Sequence, residues 1–404
     1  MVVNYIKFND TEIEFIDGDR GIHYPKKEEF SSSGYCVFLN TGNVTSNGFN
    51  FNDLDFITKE KDELLRKGRV IPHDIVLTTR GTVGNVAYVS ENELYKNIRI
   101  NSGMVIIRSD CSKYEPYFLY SFFRSELFKK QCEYNGSGSA QPQLPISALK
   151  NISFPNFNLE TQQKIAQVLS TLDRKIALNQ QISAKLEKMA KTLYDYWFVQ
   201  FDFPDENGNP YKSSGGEMVY NPELKRDVPK GWECDFVENY LDKVPNTDKI
   251  PSKEIQVKGQ IPVIDQSQDY ICGFTDNENA LLEPIDAHII FGDHTRVVKL
   301  VNFPYARGAD GTQIIISNNK KLPNFLFYQM IAKIDLSNYG YARHYKFLKE
   351  SKVLIPTEYI AQKYHQTVKP YFDLWKTNLK ETQKLTQLRD FLLPMLMNGQ
   401  VEVV

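Results

Sequence analysis

The chain repeats itself at half its own length. Ser153-Phe154-Pro155 closes a β-like, turn-rich region and opens a helical one, and 201 residues later Leu354-Ile355-Pro356 does the same in a chain of 404. Gly103-Met104-Val105-Ile106-Ile107 is answered by Gly311-Thr312-Gln313-Ile314-Ile315, and Pro116-Tyr117-Phe118-Leu119-Tyr120 by Pro323-Asn324-Phe325-Leu326-Phe327. Downstream, Leu172, Ile176, Asn179, Leu186, Met189 and Leu193 are answered at a spacing of 199 by Tyr371, Trp375, Asn378, Leu385, Leu388 and Leu392. Solenoid repeats run at 20 to 50 residues, so a period this long means duplicated domains. Two similar modules on two helical arms suit a chain that touches a partner at two related places.

Each copy changes its periodicity once. Residues 1–157 alternate short β-like runs with Gly and Asn turns, with one helix expected over Tyr117 to Cys132. Beyond Pro155 the apolar positions step by 4, 3, 4, 3: Ile165, Leu169, Leu172, Ile176, Asn179, Ser183, Leu186, Ala190, Leu193 and Trp197. That is a coiled-coil seam, and a helix of 35 to 40 residues makes a rod of about 55 to 60 Å. A linker rich in Asn, Gly, Ser and Pro follows at 204–221, then a second β-rich region over 222–356 and a second arm over 357–404. Pro370 inside that arm either kinks the helix or marks its true start, and Pro394 and Gly399 mark its end. Pairing with each other is the simplest way to bury two such seams; packing on their own globular domains or on another subunit is the alternative. Asn179 and Asn378 hold matching seam positions, where a buried amide can fix register, or else both face solvent.

Composition excludes more than it assigns. The content of 41% hydrophobic and 24% charged residues is that of an ordinary globular chain. Nothing near the N-terminus reads as a signal peptide and no run of 18 apolar residues exists, so a cytoplasmic location is expected. Five scattered cysteines without a C-x-x-C pair argue against a disulfide framework or a zinc knuckle. The net charge of −2 divides as 18 basic and 19 acidic residues over 1–150, 18 and 22 over 201–356, 6 and 4 over 159–200, and 6 and 5 over 357–404. A nucleic-acid binder working through bulk electrostatics would be more basic, so any DNA contact must be local or shared with a basic partner.

Catalytic signatures are missing. There is no phosphate-binding G-x-x-x-x-G-K-[ST], no dinucleotide G-x-G-x-x-G, no H-E-x-x-H, and no Cys and His at metal-ligand spacing; Asn209-Pro210-Tyr211 falls one proline short of an amino-methyltransferase tetrapeptide. What remains are polar loops at equivalent places in the two copies. The first copy offers Thr78, Thr79, Arg80 and Thr82 at the end of a β-like run, and Ser137, Ser139, Gln141 and Gln143 before its closing strand. The second offers His294, Thr295 and Arg296, and then Tyr339, Tyr341, Arg343, His344 and Lys346. Arg suits guanine, Gln suits adenine, and Ser or Thr suit either a base edge or phosphate. Loops alike in location but not in content fit two scaffolds reading two different half-sites; ordinary turn chemistry would also place Gly, Ser and Tyr there.

At these residues the chain resembles the DNA-specificity subunits of type I restriction-modification systems. The resemblance rests on Gly136-Ser-Gly-Ser-Ala-Gln-Pro-Gln-Leu144, on Phe154-Pro-Asn-Phe-Asn-Leu-Glu-Thr-Gln-Gln-Lys-Ile165, and on Leu172-Asp-Arg-Lys-Ile-Ala-Leu-Asn179. Tyr196-Trp-Phe-Val-Gln-Phe-Asp-Phe203, Pro229-Lys-Gly-Trp232 and Leu388-Arg-Asp-Phe-Leu-Leu-Pro-Met-Leu396 complete it, and together these pieces span essentially the whole chain.

The resemblance implies an α+β fold of two β-rich target-recognition domains, each followed by a long helix, the helices pairing as an antiparallel coiled coil and acting as a ruler between half-sites. It implies a subunit without catalysis of its own, which recognises a bipartite, gapped sequence in double-stranded DNA. Two methylation subunits carrying S-adenosylmethionine would methylate adenine N6, and restriction subunits using ATP and Mg would cleave; neither cofactor nor metal belongs to this chain, and no membrane is involved. The seam residues of the ruler would be Ile165, Leu169, Leu172, Ile176, Asn179, Leu186 and Leu193 against Tyr371, Trp375, Asn378, Leu385 and Leu392. The second arm departs from the pattern at Pro370, and the second domain has Tyr-Ala-Arg-His-Tyr where the first has Ser-Ala-Gln-Pro-Gln. The competing readings are a fused restriction enzyme missing its catalytic half, and a scaffold or decoy of the same fold that reads no DNA.

Overall fold

A computed structural model describes residues 3–135, 143–309, 311–340 and 343–403. By its internal contacts the chain forms two compact units, Met1–Ala177 with Gln383–Val404, and Leu178–Thr382. The division falls within the two long helices rather than at their ends.

The first unit contains β1 (Tyr5–Lys7), β2 (Glu14–Asp17), β3 (Cys36–Leu39), β4 (Asp55–Ile57), α1 (Lys59–Leu64), β5 (Ile75–Thr78), β6 (Val86–Tyr88), β7 (Ile98–Ile100), β8 (Met104–Arg108), α2 (Pro116–Arg124), α3 (Glu126–Asn135), α4 (Ile146–Asn151) and β9 (Ser153–Pro155), followed by the start of α5 (Leu159–Tyr194). Antiparallel β6, β5, β8 and β2 form one sheet in that order, and β4, β3 and β7 form a second in which β3 and β7 run parallel. Side chains alternate across a strand, and β8 uses both faces. Val105 and Ile107 join a core with Phe118, Phe122 and Phe154, while Met104 and Ile106 join Val37, Leu39 and Ile98 of the other sheet. A strand covered on both faces reads as a continuous apolar run, as Met104–Ile107 does. Each large side chain so buried is worth roughly 1.5–3 kcal/mol of transfer free energy.

The helix expected over Tyr117 to Cys132 is two helices. Pro116 occupies the first turn of α2 and the Glu115 side chain accepts from Tyr117 N. Ser125 is extended, ending α2, and its Oγ then accepts from Phe128 N at 3.3 Å to cap α3. The apolar run across Phe122 to Phe128 masks that single capping serine.

The second unit repeats the plan with β10 (Glu233–Phe236), β11 (Ile261–Ile264), β12 (Gly273–Thr275), β13 (Leu281–Leu282), β14 (His288–Gly292), β15 (Val298–Val301), β16 (Tyr305–Arg307), β17 (Thr312–Ile315), α6 (Asn324–Lys333), α7 (His344–Lys349), β18 (Lys352–Ile355) and α8 (Glu358–Met397). The order β15, β14, β17 reproduces β6, β5, β8, and β12, β11, β16 reproduces β4, β3, β7, including the one parallel pair. Ile289, Phe291 and Ile315 face the helical side; Ile290 and Ile314 face Ile264 and Tyr305 of the other sheet.

The helices pair antiparallel. In the first unit Ile165 and Leu169 of α5 share a core with Leu392, Leu396 and Met397 of α8, and Asp173 accepts from Arg389. In the second, Asn179 Nδ2 donates to Glu381 Oε2 at 2.7 Å and the Tyr364 hydroxyl donates to Ala190 O at 3.0 Å. Rising numbers on α5 meet falling numbers on α8. The alternative packing holds as well, since within each unit the helix segments also pack on that unit's β-rich domain, Ile165 against the Phe118 core and Ala190 with Tyr194 against the Phe325 core.

The α5 seam is buried or half-buried from Ile165 to Trp197, its last turn widening into a π turn at Asp195–Val199. Both seam asparagines are buried, Asn179 at 1% and Asn378 at 6% exposure, but they do not pair with each other: Asn179 has Glu381, while Asn378 Nδ2 finds no acceptor among the described residues. Met189 and Leu388, placed in the repeated pattern, are exposed on both arms. α8 begins at Glu358, so Pro370 is interior to it and does not start it, and the helix also continues past Pro394. It stops at Gly399, which has φ +63° and donates to Leu396 O, while Gln400 N reaches Met395 O at 2.9 Å. That pair of bonds is a Schellman ending.

Candidate DNA interface

In each unit a loop projects from the end of the hairpin's inner strand and is held by the same backbone bonds. Thr79 N donates to Gly103 O at 2.8 Å and Asp293 N to Gly311 O at 2.7 Å. Thr79 O accepts from Leu144 N at 3.1 Å, and Asp293 O from His344 N at 2.9 Å. Thr78 N to Asn85 O closes the first loop, and Gly292 N to Val297 O the second, leaving six residues in one and four in the other. A turn from the neighbouring sheet abuts each. Asn40 Oδ1 accepts from Gly42 N and Asp265 Oδ1 from Ser267 N, placing Thr41 and Gln266 against Gly103 and Gly311. A Cβ at Gly103 would lie 2.8 Å from Thr41 Cγ2, and one at Gly311 would lie 2.5 Å from Gln266 Nε2. Close approach, not only turn geometry, requires glycine at both places.

In the first unit, Arg80, Gly81 and Thr82 are exposed. Arg80 and Gln143 line a shallow pocket of about 190 Å³ together with Arg20. Thr78 and Thr79 are buried, and their hydroxyls bond Asn85 O and Gly103 O. They shape the loop and present no donor to solvent. Ser137, Ser139 and Gln141 lie outside the described residues.

Arg20 is the residue that sequence reasoning missed, because Asp19-Arg20-Gly21 looks like any charged turn. Its guanidinium is steadied by Asp17 Oδ2 at 3.1 Å and Ser102 O at 3.3 Å. Asp19 clamps the turn in place by accepting from Gly21 N, Arg66 N and Lys67 N. Burial pushes the Asp19 pKa up, but those three amides and Arg99 outweigh it and hold it below the usual carboxylate range.

In the second unit His294, Arg296, Arg343 and Lys346 are exposed, and Tyr339, 43% exposed, stacks on Phe347 at 4.0 Å. Arg296 sits at φ +60° with Nη1 on Leu336 O at 3.3 Å. The Thr295 hydroxyl is committed to Gln266 O at 2.7 Å. His344 is 4% exposed with its ring nitrogens 3.0 Å from Asp293 O and 2.9 Å from Tyr339 O, so it joins the loop to α7 instead of facing outward. Tyr341 lies outside the described residues. Gln266, also missed, accepts from His294 N at 3.1 Å. Among the described residues no three His, Cys, Asp or Glu side chains gather as metal ligands, and no helix is long and apolar enough to cross a membrane.

Two equivalent frames carrying different side chains agree with what known proteins show. A family model described as the type I restriction modification DNA specificity domain matches residues 15–188, a span that includes the first loop frame. The MjaIX specificity subunit of a type I restriction enzyme from Methanocaldococcus jannaschii is 28% identical over 363 residues, covering 83% of this chain and 79% of that protein. The HindI specificity subunit from Haemophilus influenzae is 24% identical, covering 96% of this chain and 99% of its own. The chain belongs to the type I restriction-modification specificity subunits. The fold of this specificity subunit is similar to the crystal structure of a type I S subunit from M. genitalium, with TM-score 0.60 at 17% identity, covering 98% and 96% of the two chains.

Proposed function

We propose that this specificity subunit reads a bipartite, gapped target in double-stranded DNA, one half-site per unit. In this reading it directs adenine-N6 methylation and cleavage by methylation and restriction subunits that supply S-adenosylmethionine, ATP and Mg. The observation that carries the reading is the pair of matching frames around Gly103 and Gly311, whose exposed tips differ. Arg80, Arg20 and Gln143 are the base or phosphate contacts of the first half-site. Arg296, His294, Arg343, Tyr339 and Lys346 serve the second, and α5 with α8 sets the spacing. A guanidinium accepts guanine O6 and N7 as a bidentate pair, and phosphate contacts fix register. With a near-neutral chain, the remaining phosphate charge falls to the partner subunits.

The test is to co-express the chain with the methylation subunit of its own locus and map N6-methyladenine across the host genome. One bipartite motif with a fixed gap is expected. A stable complex that leaves no methylation at any motif would sink the proposal in favour of a scaffold.

A further inference from the structure

A cavity of about 280 Å³ in the second unit is lined by Glu187 of α5, Phe372 and Trp375 of α8, and Tyr270 and Tyr328 of the β-rich domain. Tyr270 and Trp375 meet edge to face at 4.9 Å. The Trp375 indole N–H donates to the Glu187 carboxylate, and crowding by protein pushes that carboxyl's pKa up despite the bond. Glu187 is exposed at the mouth and forms no ion pair among the described residues. Lys299 also lines the cavity, but it is 4% exposed and its ammonium is bonded to the carbonyls of Asp265 and Asp269. The free charge of the cavity is therefore negative and is set among aromatic rings, whose faces attract cations.

We propose that this cavity receives an arginine side chain presented by a protein subunit of the complex, which rests on the functional reading above. The planar guanidinium stacks on indole and phenol rings and forks onto a carboxylate, which an ammonium does less well. A nucleic-acid phosphate is repelled by Glu187. A protein is the source because exposed apolar side chains adjoin the lining on both helices. Met189, two residues from Glu187, is 49% exposed, and Leu374, beside Trp375, is 46% exposed; such surface is ordinarily covered by another protein.

The test titrates the full chain with agmatine, an alkylguanidinium, and with neutral N-butylurea, by calorimetry. Assembly with the methylation subunit is measured in parallel for the wild type, Glu187→Gln and Trp375→Phe, each checked for an unchanged circular dichroism spectrum. Saturable agmatine binding is expected, at least tenfold weaker in both variants and absent for N-butylurea, with assembly weakened at least tenfold by Glu187→Gln. Agmatine binding that ignores Glu187→Gln overturns the site. Binding that depends on Glu187 while assembly does not means the cavity takes free cations, and overturns the protein-borne arginine. Agmatine binding is read on the chain alone, so a complex that methylates nothing would count against the functional reading and leave the cavity's result standing.

Discussion

Arg389 Nη1 meets Asp173 Oδ1 at 2.9 Å across 216 residues of chain, while the other oxygen of Asp173 accepts from Arg124 Nη1 and the Tyr117 hydroxyl, each at 2.7 Å. One carboxylate thus joins α5, α8 and α2. Burial pushes its pKa up, but Arg124, Tyr117 and Arg389 together hold it below the ordinary carboxylate value. Asp173→Asn leaves two guanidinium groups short of a partner in a crowded site and should cost on the order of 3 kcal/mol in urea unfolding at pH 7. Because the folded pKa is depressed, the native contribution is complete above about pH 4 and fades as pH falls further. The variant should lose that part of the wild type's acid sensitivity; a variant as stable as wild type would show the three-way contact to be idle.

His288 gives a pH response of its own. It is buried with Nδ1 3.1 Å from the Tyr305 hydroxyl, and burial pushes its pKa down to about 4. The unfolded chain binds a proton near pH 6.5 that the folded chain refuses, so stability should fall as pH drops below 6.5 and level off near 4. Between pH 7 and 5 the loss should be about 2 kcal/mol, and His288→Gln should flatten it. An equal slope in wild type and variant would place the acid sensitivity elsewhere.

Asn378 buries an amide donor with no acceptor. Asn378→Leu removes that desolvated group and should raise stability by about 1 kcal/mol, read as a higher urea midpoint at unchanged slope. A drop would mean that the amide is satisfied by water or by a partner subunit.

The exposed arginines divide by half-site. Arg80→Ala and Arg20→Ala should each weaken or relax one half of the methylated motif by roughly 1–3 kcal/mol and leave the other half intact. Arg296→Ala should do the reverse. Equal loss at both halves would contradict the assignment of one unit to one half-site.

Removing seven residues from each of α5 and α8 shortens the rods by about 10 Å, close to three base pairs at about 3.4 Å each. The permitted gap should shrink while both half-sites stay the same. A gap that does not move would show that something other than the helices sets it.

Much of this was legible in the sequence because the duplication exposes it twice. Gly103 and Gly311, or Pro116 and Pro323, stand at equivalent places for the same physical reasons, and the 4, 3 stepping of the α5 seam follows from burial of one face. Three things were not legible. A single Ser125 ends one helix and starts another, which an apolar run hides. Pro370 and Pro394 sit inside a helix, where propensity alone would have placed an end, because tertiary packing of Val368, Phe372 and Leu396 holds the backbone helical. Thr78, Thr79 and His344 have the right chemistry for reading bases but point inward, and the side that a loop residue faces is settled by its neighbours in space.

The bonds from Thr79 N to Gly103 O and from Asp293 N to Gly311 O join main-chain atoms only. No side-chain replacement within either loop can delete them, and a loop of six residues and one of four are accommodated by the same fastening. The tips can therefore be rewritten freely, in length as well as letters, and one half of such a reader can acquire a new vocabulary while the other keeps its own.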